Sequence, residues 1–124
     1  YIKKVCIHAK NKKKITVGNI DTIRDYSWAP DLAKGIYYLS KFSARDIILS
    51  SGVGISGREI LKIAYRQNKL NYKKFFKIDK KFCRKNEDKI LTGKSDNNKI
   101  LMKKFGFKFN TYGANLVKKM YKQL

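Results

Sequence analysis

Along the chain, short alternating or continuous apolar runs separate stretches in which apolar residues recur at helical spacing. Residues 14–18, Lys-Ile-Thr-Val-Gly, alternate and are β-branched, which predicts a strand ending at Gly18-Asn19. Residues 24–28 read as a loop. Pro30 suits the first turn of a helix, and Leu32, Ile36 and Leu39 continue it at helical spacing through about Phe42. The run Asp-Ile-Ile-Leu-Ser-Ser at 46–51 has the continuous apolar character of a buried parallel strand. Residues 72–79 predict a further strand, 80–89 an irregular loop and 90–93 a short apolar run. Ser95 or Asp96 is a candidate cap for a helix ending at Gly106, and Thr111 for the last helix. On that last helix Leu116, Val117, Met120, Tyr121 and Leu124 form an apolar stripe. Strands alternating with helices, without repeat or linker, give an α/β class.

Gly52, Gly54 and Gly57 spell G-x-G-x-x-G between an apolar run and a helix, with Asp79 about 20 residues on, the layout of a dinucleotide-binding turn. Ser56 and Glu59 argue against that use. They form an S-x-x-E capping box flanked by Ile55 and Ile60 at the staple positions, so the helix starts at Gly57 with its first amides already partnered. A pyrophosphate would meet the Glu59 carboxylate where it needs positive charge. The three glycines are therefore expected to serve a turn.

With 124 residues, 43% of them hydrophobic, the chain can build one core, and it is read as a single partial domain, 1–124, without internal boundary. Its opening at Tyr1, in a stretch that reads as the end of a helix, suggests a partial chain. Cys6 and Cys83 form no metal-ligand spacing with His8, which points to two packed thiols, a reducing cytoplasmic compartment and no structural metal. No apolar run reaches the ~20 residues of a membrane span. The net charge of +21 favours anionic partners, unless the lysines merely solvate the surface.

At Val17-Gly18-Asn19, Arg24-Asp25-Tyr26 and Ala29-Pro30-Asp31 the sequence resembles the C-terminal half of extended short-chain dehydrogenases, and most closely the GDP-mannose 4,6-dehydratase family. The stretches "ILSSGVGISGREIL", "IDKKFCRKNEDKILTG" and "MKKFGFKFNTYGANLVKKM" resemble later family segments in the same order, so that the likeness covers nearly all of 12–124. The resemblance implies the substrate-binding portion of such a fold, with the Rossmann cofactor half largely missing. It further implies an NADP-dependent lyase that acts on GDP-mannose, gives GDP-4-keto-6-deoxymannose on the route to GDP-fucose, and assembles as a homo-oligomer. The family's glycine-rich loop, catalytic Ser/Thr and Glu, and Tyr-x-x-x-Lys pair are expected upstream, so no catalytic residue is assigned here and the fragment alone is expected to be inactive and poorly soluble.

By the same resemblance Arg24 and Arg84 grip the diphosphate, Glu87 binds ribose hydroxyls, and Gly18 and Asn19 lie beside the base. The chemistry is apt: planar guanidinium forks match paired phosphate oxygens, and a carboxylate accepts vicinal hydroxyl protons. The plainer alternative pairs Arg24 with Asp21 or Asp25 and leaves Arg84 as one more surface cation. Lys85 replaces the family's proline, which predicts a less rigid loop. Tyr37 with Lys41, and Tyr65 with Lys69, satisfy Tyr-x-x-x-Lys, but with 8 Tyr and 30 Lys+Arg about two Tyr-x-x-x-basic matches arise by chance. Trp28 reads as core and His8 as solvated. A rival reading takes residues 71–85, where aromatics interleave with lysines, as an RNA or polyanion surface with Phe75 and Lys77 on one strand face, and a third, from the resemblance, takes the chain as part of another nucleotide-sugar epimerase or reductase of the same superfamily that shares Arg24 and Arg84.

Overall fold

The computed structural model describes residues 1–41, 47–94 and 96–124. Helix α1 (Ile2–Lys10) buries Ile2, Val5, Cys6 and Ala9, one stripe at helical spacing. It leads into strand β1 (Ile15–Val17), which pairs in parallel with β4 (Phe76–Ile78) in the register Ile15 to Phe76 and Val17 to Ile78. A second sheet has β2 (Ile23–Asp25) at its centre, antiparallel to β3 (Gly54–Ser56) and parallel to β5 (Ile90–Leu91). Helices α2 (Ala29–Leu39), α3 (Gly57–Arg66), α4 (Asp96–Phe105) and α5 (Gly113–Gln123) complete the α/β order.

α1, α3 and α5 pack against one another, and their apolar faces form the main core. Val5, Cys6, Leu61, Ala64, Tyr65 and Val117 meet there without solvent exposure, and Ile15, Val17, Ile20 and Ile55 come in from the strands. Trp28 packs at the edge of this core, with the Lys119 ammonium 4.8 Å from its ring centre. A smaller cluster of Leu101, Phe107 and Phe109 lies against Leu32, Tyr38 and Leu39 of α2. Both cysteines are free, and burial pushes the Cys6 thiol up to about 11.

The capping box at the start of α3 is complete. Ser56 Oγ accepts the Glu59 amide at 3.1 Å, and the Glu59 carboxylate accepts the Ser56 amide at 2.9 Å. These bonds hold the Glu59 carboxyl below its ordinary value. The staple residues Ile55 and Ile60 are both buried. Of the three glycines in that stretch only Gly52 serves a turn, with φ 77. Gly54 lies in β3, where Ile23 and Thr92 leave no room for a side chain, and Gly57 opens the helix against the Ile20 backbone.

Several expected elements differ. Arg24 and Asp25 belong to strand β2 rather than to a loop, because β3 and β5 satisfy its two edges. Residues 47–50 form no strand: β5 pairs with β2 instead, Ile48 is 61% exposed, and the Ser50 carbonyl accepts the Asn98 side-chain amide. Ile36 points outward, since α2 buries its Leu32, Gly35 and Tyr38 face against Phe107 and Leu49. Thr111 caps nothing. The amides of Asn110 and Thr111 donate to Asp31 Oδ2, which ties this segment to α2, and α5 starts after Tyr112. Residues 72–79 divide into a 3₁₀ turn, Tyr72–Lys74, and the shorter β4. Phe42 and Ser95 lie outside the described residues.

Candidate functional site

Where β1 ends, the chain turns through Gly18 and Asn19 and opens a cleft of about 550 Å³. Ligands of open α/β sheets bind at such carboxyl ends of parallel strands, beyond the reach of the sheet's own hydrogen bonds. Arg24, Arg84, Glu87, Gly18 and Asn19 all line this one cleft. The two arginines lie 60 positions apart in the sequence, and β-sheet register brings them together. Arg24 pairs with Leu91 across the β2–β5 ladder, so the loop leading into β5 passes beside the Arg24 side chain.

Arg24 has neither of the partners suggested by its sequence neighbours. Its Nη2 donates to Glu87 Oε1 at 2.9 Å, and its Nη1 donates to the carbonyls of Ile23 at 2.8 Å and Asp88 at 3.0 Å. Asp21 instead takes Arg58 in a two-pronged pair at 2.6 and 2.8 Å, and Arg58 holds its carboxyl below the usual range. Asp25 accepts the Ser51 hydroxyl and the Gly52 amide. Arg84 is exposed, and among the described residues it forms no ion pair. The loop turns at Asn86, whose φ of 55 is a conformation asparagine tolerates better than most residues. Asn19 lines the cleft, and its Oδ1 accepts the Asp21 amide at 3.0 Å.

The cleft residues that sequence reasoning did not propose include Tyr1, just before α1, Lys4 from α1, Tyr26 after β2, and Phe82 from the 3₁₀ turn Lys80–Phe82. Tyr1 donates to the Gly57 carbonyl at 3.3 Å, and burial raises its phenol. Burial also raises Tyr26, with Glu87 adding to the shift and Arg24 opposing it. Among so many lysines and aromatics no spacing singles these four out.

The glycine-rich stretch does not fit a dinucleotide, because Glu59 occupies the α3 amide end. Asp79, at the distance of a ribose-binding acid, instead accepts the Lys81 amide at 2.9 Å as the cap of a 3₁₀ turn. Neither Tyr-x-x-x-Lys match lines the cleft. The Tyr65 hydroxyl donates to the Lys13 carbonyl at 2.7 Å inside the core. Tyr37 is 57% exposed with Lys41 4.4 Å over its ring, and that ammonium lowers its phenol. Phe75, expected beside Lys77 on a strand face of the rival reading, lies before the strand and against the core. Its ring packs 5.1 Å from the Tyr65 ring, while Tyr72 stacks on Phe76. Among the described residues there is no group of three or more potential metal ligands, and no helix long and apolar enough to cross a membrane.

The fold is thus a parallel strand pair flanked by helices, with the cleft at its carboxyl end. Two solved structures share it. An epimerase candidate from Burkholderia cenocepacia J2315 matches with TM-score 0.74 at 25% identity over 98% of this chain and 41% of that one. RMD from Pseudomonas aeruginosa, solved in complex with NADPH, matches with TM-score 0.68 at 15% identity over the same shares. The chain thus spans well under half the length of these structures. It belongs to the GDP-mannose 4,6-dehydratase family, whose model matches residues 2–120.

Proposed function

We propose that residues 1–124 form the nucleotide-sugar-binding part of a GDP-mannose 4,6-dehydratase, with the guanosine diphosphate moiety seated in the cleft beyond β1. The observation that carries this reading is that Arg24, Arg84, Glu87, Gly18 and Asn19, drawn from three separate segments, line one cleft. Arg84 offers its whole fork to the diphosphate. Arg24, with three of its five N–H groups engaged within the protein, has two left for the same oxygens. Glu87 keeps Oε2 for a ribose hydroxyl, and Gly18 and Asn19 border the base.

The work of these residues is to hold and orient. Fixing the diphosphate and ribose anchors the sugar in one pose, which is the part of catalysis that comes from lost rotational freedom rather than from bond making. The family's reaction oxidises C4 of the mannose, removes water across C5 and C6, and returns the hydride to C6. Its NADP would supply the hydride acceptor, and no step of that chemistry is assigned to the residues here. Titration calorimetry at moderate salt should give one saturable GDP site, with GMP bound about tenfold more weakly for want of the second phosphate. GMP binding as tightly as GDP would remove the diphosphate assignment.

A further inference from the structure

Within the cleft, the most fully specified contacts are those that join strand β2 to the loop carrying Arg84. Arg24 reaches that loop twice, through the Glu87 carboxylate at 2.9 Å and the Asp88 carbonyl at 3.0 Å, and is itself braced by the Ile23 carbonyl at 2.8 Å. Both ion-pair side chains are mostly shielded, at 21% and 18% exposure, whereas Arg84 is exposed and among the described residues has no ion-pair partner to fix it. The loop's own backbone offers little stiffness: Lys85, Asn86 and Asp88 are exposed, and Asn86 sits in a left-handed turn.

We infer that Arg24 and Glu87 are positioning residues: their ion pair tethers residues 84–88 to β2 and thereby holds Arg84 over the cleft. This rests on the cleft being a nucleotide-diphosphate site, and it adds a role for Glu87 that is independent of any ribose. A shielded, charge-assisted bond is stronger than a surface pair, and the fork geometry lets one guanidinium hold carboxylate and carbonyl together. Three consequences follow. Neutralising Glu87 weakens ligands that have no ribose at all. Arg24→Lys, which keeps the charge but cannot span both acceptors, frees the loop in the same way. Loop amides open more often while the core is untouched.

The test uses GDP and inorganic pyrophosphate as probes, at a salt concentration where Arg84→Ala defines the background from the chain's other cations. The tether predicts that Glu87→Gln weakens both probes by a similar factor, about fivefold, and that amides of 84–88 exchange about tenfold faster with the melting temperature unchanged. If Glu87→Gln weakens GDP, leaves pyrophosphate unchanged and does not alter loop exchange, Glu87 is a ribose acceptor only and the tether is wrong. If the unmodified chain binds neither probe above background, the nucleotide reading fails, and loop exchange in Glu87→Gln then decides the tether by itself.

Discussion

Arg84→Ala is expected to weaken GDP binding by about 2 kcal/mol, roughly thirtyfold in Kd, with the melting temperature unchanged. The asymmetry follows from where the side chain lies. Arg84 is exposed on a loop and makes no ion pair among the described residues, so its removal leaves no buried group unsatisfied and little for the folded state to lose. On the proposed reading its value is to the ligand alone. Arg84→Lys should recover the charge but not the two-pronged geometry, and so should fall between the two proteins. Calorimetry on the three proteins checks the order. A lysine variant indistinguishable from arginine would mean that the cleft offers only a diffuse positive field, of the kind that +21 provides anywhere on the surface.

Gly18→Ala should damage fold and site together, for a reason unrelated to charge. A Cβ at Gly18 would run into the Phe82 carbonyl, with the carbonyl carbon at 2.7 Å and the Phe82 Cβ at 3.2 Å. The carbonyl is backbone of the 3₁₀ turn that leads into Cys83 and Arg84, and backbone cannot step aside as a flexible side chain can. Relief requires the turn to move away from the end of β1, at a cost of about 1–3 kcal/mol, the usual range for overpacking. The denaturant midpoint should fall, and GDP affinity should drop about tenfold as Arg84 is carried out of place. Unchanged stability and affinity would show that the turn has slack and that the close approach at Gly18 does not set the position of Arg84.

The parts of the structure legible in the sequence are those decided locally. The capping box of Ser56 and Glu59, the proline in the first turn of α2 and the glycine that ends α4 each act within a few residues, and each is where the sequence predicts it. β2 and residues 47–50 were misread for a common reason. A three-residue strand is stabilised by its neighbours more than by its own propensity, so polar Arg24 and Asp25 become a strand because β3 and β5 flank them, while the more strand-like Ile47-Ile48-Leu49 run finds no ladder. The site divides in the same way. Its candidate residues could be named from the family resemblance, yet the Arg24–Glu87 pair could not, because it depends on the parallel pairing of Ile23 with Ile90 across a long sequence gap. Lys4 and Tyr1 were invisible because α1 presents them to the cleft only once α1 is packed against α3 and α5.

Amide chemical-shift mapping of the labelled chain during titration with GDP probes the shared cleft most directly. The largest changes are expected at Gly18, Asn19 and Arg24 and through 82–88, saturating together with one Kd. Changes concentrated elsewhere, or scattered over the lysine-rich surface without saturation, would contradict a nucleoside-diphosphate site at the end of β1.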